Sequence, residues 1–130
     1  MNTGTKPAGK TILYVEDNEA NRKVVRLLLM NTAYGLIEAY DGEAGVLKAL
    51  EARPDLILMD VQLPKISGLE ATRRLRAQVA TANTPIIVIT SFALSGDDRK
   101  AKEAGATAYI AKPYSPRDLL ALIRKTLPEA

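Results

Sequence analysis

Short unbroken runs of apolar residues recur along the chain and predict the strands of a sheet. There are five such runs: Thr11–Val15, Leu36–Tyr40, Leu56–Met59, Pro85–Ile89 and Thr107–Ile110. Each is too short for a buried helix and is bounded by turn-forming residues, which favours strands. Strands that are apolar on both faces are typical of parallel sheets covered by helices on both sides.

Apolar residues at helical spacing follow each run and predict a helix after every strand. The sets are Ala20, Val24, Leu27 and Leu28; Val46, Leu47 and Leu50; Leu69, Leu75 and Val79; Ala101 and Ala104; and Leu119, Leu120, Ile123 and Leu127. Pro54 should stop the second helix, and Ser67, Ser95 and Ser115 are the expected N-caps of the last three. The fourth helix, from Ser95 to Ala104, offers mainly alanines and should be loosely held. Five β–α units predict a doubly wound α/β domain with right-handed crossovers.

Length and composition narrow the class of protein. The chain has 130 residues, which fits one domain, with residues 1–10 as a flexible tail and residues 11–130 as the folded part. It contains no cysteine and no histidine, so disulfides, histidine metal ligands and Ser–His–Asp catalysis are excluded. No signal peptide or membrane-length apolar run is present, so we expect a cytoplasmic protein.

The net charge of +3 raises the question of nucleic-acid binding. The basic residues fall in small groups on predicted helices, and we interpret them as solvated helix faces rather than a nucleic-acid surface. These groups are Arg22/Lys23/Arg26, Arg73/Arg74/Arg76, Arg99/Lys100/Lys102 and Arg124/Lys125.

Polar residues stand directly after four of the predicted strands, where parallel α/β sheets bind their ligands. Glu16 and Asp17 follow the first strand, Asp60 the third, Thr90 the fourth and Lys112 the fifth. Clustered carboxylates without histidine or cysteine favour a hard cation, and Mg²⁺ is the natural candidate. In this interpretation Asp60 is a carboxylate nucleophile toward a phosphoryl group, while Lys112 and Thr90 bind the phosphoryl oxygens.

The segments ILYVEDN, LILMDVQLP, IIVITSFA and AYIAKP, in this order, resemble the receiver domain of two-component response regulators. The resemblance covers about residues 10–127. The sequence looks like the single-domain regulators of the DivK type, although receivers detached from hybrid histidine kinases look similar. It implies a flavodoxin-like fold of five parallel strands in the order 2-1-3-4-5 with five helices. It also implies a phosphorelay function, with a histidine kinase or histidine phosphotransfer protein as donor and a separate effector protein as reader.

The same resemblance assigns roles to individual residues. It implies that Asp60 is the phosphoacceptor, that Lys112 binds the phosphate, and that Thr90 and Tyr109 are the switch hydroxyl and the switch aromatic. It implies that Asp17 binds Mg²⁺ directly and that Glu16 binds it through water. The backbone carbonyl of Gln62 is implied as the third protein ligand. It further implies a cis Lys112–Pro113 peptide and an output on the fourth helix, fifth strand and fifth helix. Since the chain ends soon after the fifth helix, we expect a separate protein to read that surface.

One residue departs from the family pattern. Ser91 follows Thr90 where an alanine is frequent, and its larger side chain could narrow access to Asp60. Gln62 and Phe92, two residues after Asp60 and Thr90, occupy positions that tune phosphoryl lifetime in this family, and Phe92 is expected to hinder the attacking water.

Three other functions remain open from the sequence. A flavodoxin-like cofactor carrier would need a Ser/Thr/Gly-rich phosphate loop after the first strand, where this chain has Glu16-Asp17-Asn18-Glu19. An aspartyl-phosphate phosphatase would usually carry an Asp at position 62, where Gln62 stands, so no turnover of an outside substrate is expected. The third is an interaction module that has lost phosphorylation.

Overall fold

The computed structural model of the chain describes residues 9–91 and 97–129, with Asp97 described by its backbone alone. Its strands form one parallel sheet in the order β2-β1-β3-β4-β5, as predicted. The strands are β1 Thr11–Val15, β2 Gly35–Ala39, β3 Leu56–Asp60, β4 Ile86–Thr90 and β5 Ala108–Ala111. Four of the five predicted strands are displaced or extended by one residue at an end, whereas β1 has the predicted bounds.

A helix follows each strand, as the periodicity predicts. The helices are α1 Glu19–Leu29, α2 Gly42–Ala52, α3 Gly68–Arg76, α4 Asp97–Ala104 and α5 Pro116–Thr126. The side chains of Asn18, Asp41, Ser67 and Ser115 accept N-terminal backbone N–H groups of α1, α2, α3 and α5. The expected cap Ser95, and residues 1–8 of the predicted tail, lie outside the described residues.

The alternation of side chains along the strands divides the core into two layers. On one side of the sheet, alternate residues such as Ile12, Leu56 and Ile87 pack with residues of α1 and α5. On the other side, residues such as Leu13 and Ile57 pack with α2, α3 and α4. The expected contribution of α4 is confirmed, because Ala101 and Ala104 are buried.

The predicted inward faces of α1 and α2 are partly wrong. Val24 and Leu27 are 42% and 55% exposed, whereas Val25 and Leu29 are buried. In α1 nearly every position from 24 to 29 is apolar, so the sequence admits more than one rotation of the helix. In α2 small residues face the sheet, and Leu47 is exposed.

Val79 does not extend α3 as predicted. The helix ends at Arg76, and Val79 begins a 3₁₀ turn, Val79–Thr81, where it is 96% exposed. The guanidinium of Arg76 donates to the carbonyl oxygens of Thr81 and Thr84 at 3.0 and 2.6 Å. This side chain holds the connection to β4 against the end of α3, and it corrects our interpretation of Arg76 as part of a solvated face.

Gly68 brings α3 against the end of β3. Its N–H donates to the Val61 carbonyl at 2.9 Å, and a Cβ atom at this position would lie 1.9 Å from the Asp60 carbonyl oxygen. No side chain therefore fits here without moving the backbone of Asp60 or the first turn of α3.

Gly68→Ala is expected to lower the free energy of unfolding by about 2 kcal/mol or more, because the clash is with backbone. Helix propensity alone predicts the opposite sign, since alanine is about 1 kcal/mol better than glycine within a helix. Urea denaturation measures the change. Ser67→Ala, which removes only the neighbouring cap, is the control and should cost about 1 kcal/mol; a Gly68→Ala protein more stable than wild type would contradict the prediction.

Candidate active site

The strand register brings the predicted polar residues to one edge of the sheet. Asp60, the last residue of β3, is paired with Ile89 of β4, and Thr90, the next residue of β4, is paired with Ala111 of β5. Lys112 follows at once, and its N–H donates to the Thr90 carbonyl at 2.7 Å. The ends of β3, β4 and β5 are thus locked together by backbone hydrogen bonds.

Two buried carboxylates share one ammonium group at this edge. The Nζ atom of Lys112 donates to Oδ2 of Asp60 at 2.6 Å and lies 3.6 Å from Oε1 of Glu16. Oδ1 of Asp60 accepts the N–H of Gln62 at 2.8 Å. The side chains of Asp60 and Glu16 are 3% and 2% exposed, and that of Lys112 is 26% exposed. The lysine therefore marks the open side of the cluster.

Glu16 is fixed by hydrogen bonds from its own end of β1. Its carboxylate accepts the Tyr14 hydroxyl at 3.2 Å and the Asn18 N–H at 3.1 Å. Its backbone carbonyl accepts NH1 of Arg22 at 2.9 Å. Both ends of this residue are held before any ligand arrives.

The other predicted site residues differ in how far they are exposed. Thr90 is buried at the end of β4, whereas Asp17 and Gln62 are exposed on the loops after β1 and β3. Ser91 is exposed, and Tyr109 on β5 is 41% exposed. Phe92 lies outside the described residues. The Lys112–Pro113 peptide is cis, as the resemblance implies.

The charges of this cluster alter two pKa values. Burial, together with the hydrogen bond and negative charge of Asp60, raises the pKa of Glu16 from 4.5 to about 7. Burial lowers the pKa of Lys112, but the hydrogen bond and charge of Asp60 and the charge of Glu16 outweigh it, so the net shift is upward. The cluster thus holds more negative charge than Lys112 alone offsets.

We expect the apo protein to lose stability as the pH rises from about 5 to about 7. The carboxyl of Glu16 keeps its proton to a higher pH when folded than when unfolded, so its stabilisation is complete below pH 4.5 and is lost as the pH passes about 7. The expected loss is on the order of 1 kcal/mol or more. Urea denaturation in chelator at several pH values measures it.

Glu16→Gln is the control for this pH dependence, since an amide does not titrate. The variant should show a flatter profile between about pH 5 and about pH 7. An identical slope in wild type and variant would show that another group causes the loss. Glu19, Glu70 and Glu129 do not interfere, because their pKa values are lowered and they titrate below this window.

The oxygen donors of this cluster are those of a Mg²⁺ site, although they do not form a complete set of ligands around an ion. Within the described residues, no three acidic side chains stand together as a ready metal-binding group. Two buried carboxylates converge, the exposed Asp17 is the next residue after Glu16, and the N–H of the exposed Gln62 donates to Asp60. Mg²⁺ prefers few carboxylates and retains waters, so this donor set fits it.

Two residues of the site are not evident from the sequence. Tyr14 has the pattern of an apolar strand residue, although a buried tyrosine hydroxyl needs a partner. The interpretation of Arg22 as part of a solvated face with Lys23 and Arg26 is wrong, because Arg22 is 8% exposed.

Comparison with known proteins identifies the family. The sequence model described as the response regulator receiver domain matches residues 12–124. The polar-differentiation response regulator DivK of Brucella anthropi is 40% identical over 121 residues, which cover 93% of this chain and 98% of that protein. The chain belongs to the response regulator receiver domain family. This membership decides against the flavodoxin-like cofactor carrier.

Solved structures of receiver domains share this fold. The receiver domain of the sensor histidine kinase PA1611 from Pseudomonas aeruginosa is 39% identical with a TM-score of 0.84, covering 92% of this chain and 98% of that one. That structure has a magnesium ion coordinated in its active-site cleft. The chemotaxis response regulator CheY4 of Vibrio cholerae is 31% identical with a TM-score of 0.85, covering 91% and 98%.

Like its relatives, this receiver domain belongs to two-component signalling, in which receivers interact with kinases and effectors. Within the described residues, no helix has the length and apolar character that a membrane span requires.

Proposed function

We propose that this receiver domain accepts a phosphoryl group on Asp60 from a phosphohistidine of a histidine kinase or phosphotransfer protein. The observation that carries the proposal is the placement of Asp60, whose buried carboxylate ends β3 and lies 2.6 Å from the Lys112 ammonium. The chain has no histidine, so the phosphohistidine lies outside these 130 residues.

In the proposed transfer, a carboxylate oxygen of Asp60 attacks phosphorus and the P–N bond to the donor imidazole breaks. The imidazole leaves with the electron pair of that bond and takes up a proton from solvent, and an acyl phosphate remains on Asp60. Lys112, already at the Asp60 carboxylate, neutralises one phosphoryl oxygen. Thr90, at the end of the neighbouring strand, donates its hydroxyl to another.

Asp17, Asp60 and the Gln62 carbonyl are the proposed direct ligands of Mg²⁺, with Glu16 acting through water. When bound, the ion neutralises charge on the transferring phosphoryl group. Without the ion, Lys112 is the one cation within the described residues that pairs with Glu16 and Asp60. The Mg²⁺ in the 39% identical Pseudomonas receiver supports this proposal.

Mass spectrometry after incubation with a small phosphodonor tests the proposed function. With Mg²⁺ the protein should gain the mass of one phosphoryl group, and with excess chelator it should not. The added group should be released at alkaline pH, as acyl phosphates are. Absence of any added phosphoryl group under these conditions would favour an interaction module that has lost phosphorylation.

We further propose that the α4–β5–α5 face carries the output to an effector protein. Phosphate on Asp60 would draw in Thr90 on β4, and the adjacent strand β5 carries Tyr109, which is 41% exposed. Tyr109 lines a groove together with Arg99 and Lys102 of α4. Since α4 buries mainly two alanines, a shift of this helix costs little. Tyr114, Arg117 and Arg124 complete the proposed contact face.

Binding of beryllofluoride, a phosphoryl mimic, should therefore change amide chemical shifts along residues 97–115 as well as around Asp17 and Asp60. The expected pattern is a two-state shift of α4 and β5. Heteronuclear NMR with and without the mimic measures it, and Asp60→Asn is the control. Shifts confined to the loops after β1 and β3 would contradict a switch on this face.

A receiver from a hybrid kinase, passing its phosphoryl group onward, is the second candidate function. The 39% identity to the receiver of a sensor histidine kinase favours it. Rapid transfer from phosphorylated Asp60 to a histidine phosphotransfer protein would distinguish this role from a signal endpoint.

We expect no outside substrate and no nucleic-acid partner, and we expect the domain to act in the cytoplasm. Position 62 carries a glutamine that cannot serve as a general acid toward a phosphoester. Several basic side chains already pair with acids of the same chain, which leaves less charge for phosphates. These pairs join Arg22 and Arg26 to Glu19 and Glu38, and Arg73 and Arg74 to Glu70.

A further inference from the structure

Arg22 is a buried arginine that connects the site to the body of α1. Its side chain is only 10% exposed, and its guanidinium carbon lies 4.1 Å from the centroid of the Tyr40 ring. NH1 donates to the backbone carbonyl of Glu16 at 2.9 Å, and NH2 donates to Glu19 at 2.7 Å. Nε lies 3.2 Å from Oε1 of Glu38, at ion-pair distance but outside hydrogen-bonding geometry.

These contacts hold the guanidinium on several sides. Glu16 follows β1, and Glu19 belongs to the first turn of α1. Glu38 and Tyr40 both lie at the end of β2, so three separate parts of the chain determine the position of Arg22. The group that it presents to the site is therefore a fixed donor rather than a mobile surface cation. Through this hydrogen bond Arg22 fixes the peptide that joins Glu16 to Asp17.

We propose that Arg22 is a positioning residue, which holds the Glu16 carbonyl and so places the Asp17 carboxylate for Mg²⁺. The inference rests on the proposed function, because it requires that Asp17 binds the ion. Asp17 is exposed, and no described residue holds its side chain, whereas the peptide before it is anchored by Arg22. Residues that orient metal ligands without touching the metal have large effects on affinity.

The direction in which removal of Arg22 changes the Mg²⁺ affinity distinguishes a positioning role from a purely electrostatic one. A positive charge near the carboxylates opposes a cation, so an arginine that acted only through its charge would weaken Mg²⁺ binding, and its removal would strengthen it. A positioning role predicts the opposite result, namely weaker binding after removal.

Arg26 provides a matched control one helical turn away. It pairs with the same two acids, Glu19 at 3.0 Å and Glu38 at 2.7 Å. Within the described part of the chain, Arg26 makes no contact with Glu16, and its side chain is 39% exposed. Arg26→Ala therefore removes the same charge and ion pairs of the same acids without releasing the Glu16 carbonyl.

Calorimetric titration of the intact chain with Mg²⁺ tests the proposal. Arg22→Ala should raise the Kd for Mg²⁺ by about 10-fold, and Arg26→Ala by less than about 2-fold. Unchanged or tighter binding by Arg22→Ala, or an equal loss in both variants, would overturn the role of Arg22. If Asp17→Asn binds Mg²⁺ as wild type does, the proposed metal site itself fails, which is a distinguishable outcome.

Amide hydrogen exchange gives a second readout that requires no metal. The Asn18 N–H donates to the Glu16 carboxylate, so loosening the Glu16 peptide should expose it. We expect faster exchange at Asn18 in Arg22→Ala than in Arg26→Ala, and equal rates would overturn the proposal.

A conservative pair keeps the test valid if Arg22→Ala fails to fold. Lys retains the charge but cannot reach the Glu16 carbonyl, Glu19 and Glu38 at once, since it lacks the guanidinium fork. Arg22→Lys should weaken Mg²⁺ binding by a few-fold relative to Arg26→Lys. Equal Mg²⁺ affinities of these two variants would overturn the proposal.

Discussion

Asp60→Asn is expected to abolish phosphoryl labelling of the chain by a small phosphodonor in the presence of Mg²⁺. Asparagine has nearly the same shape but lacks the carboxylate nucleophile, so no acyl phosphate can form. The buried position of Asp60 beside Lys112 is the reason to expect complete loss, because no other carboxylate combines that burial with a direct ammonium contact of 2.6 Å in the described residues. Intact-protein mass spectrometry measures the label.

The appropriate control is another aspartate with the same change of charge. Asp118 lies exposed in the first turn of α5, and Asp118→Asn should be labelled as wild type is. Labelling of Asp60→Asn at the wild-type level would show that the acceptor is elsewhere. We expect Asp60→Asn to be more stable than wild type, because it removes one of two crowded buried acids, so unfolding would not account for a loss of label.

The strands could be predicted from the sequence because they are apolar on both faces. A run such as LILM in β3 is apolar at every position, so there is no buried face to distinguish from an exposed one. Its location therefore follows from composition alone. The ends of four strands differ from the prediction by one residue. At β3 the added residue is Asp60, which lies at the carboxyl end of the strand, where the site forms.

Helix orientation was harder to predict, and α1 shows why. Val24, Val25, Leu27 and Leu29 are all apolar, and only contact with β1 and α5 determines which of them are buried. The choice of Val25 and Leu29 also turns Arg22 inward, since residues three and four apart share a helix face. The rotation of α1 about its axis therefore accounts both for the wrongly predicted buried face and for the unpredicted burial of Arg22.

The candidate site was predictable in its residue types but not in its supports. Glu16 and Lys112 each follow a strand and Asp60 ends one, and parallel strands bring such positions to one edge. Tyr14 and Arg22 reach Glu16 from within the sheet and from α1, and no spacing rule predicts contacts of this kind. Such supports depend on side-chain packing between elements.

Asp17→Asn is expected to remove measurable Mg²⁺ binding and, with it, phosphoryl labelling at ordinary Mg²⁺ concentrations. Mg²⁺ is held by few protein ligands, so the loss of one direct carboxylate removes a large share of the attraction. Calorimetric titration measures binding, and mass spectrometry measures labelling. Glu43→Gln, an exposed acid in the first turn of α2 with the same change of charge, is the control and should leave both unchanged.

The effect of Mg²⁺ concentration distinguishes the two aspartates. Asp17→Asn keeps the nucleophile and the Lys112 contact, so a large excess of Mg²⁺ should restore part of the labelling. Asp60→Asn has no acceptor and should remain unlabelled at every Mg²⁺ concentration. Full labelling of Asp17→Asn in chelator would show that the reaction does not depend on a cation at Asp17, and the carboxylates after β1 would then serve only to compensate Lys112.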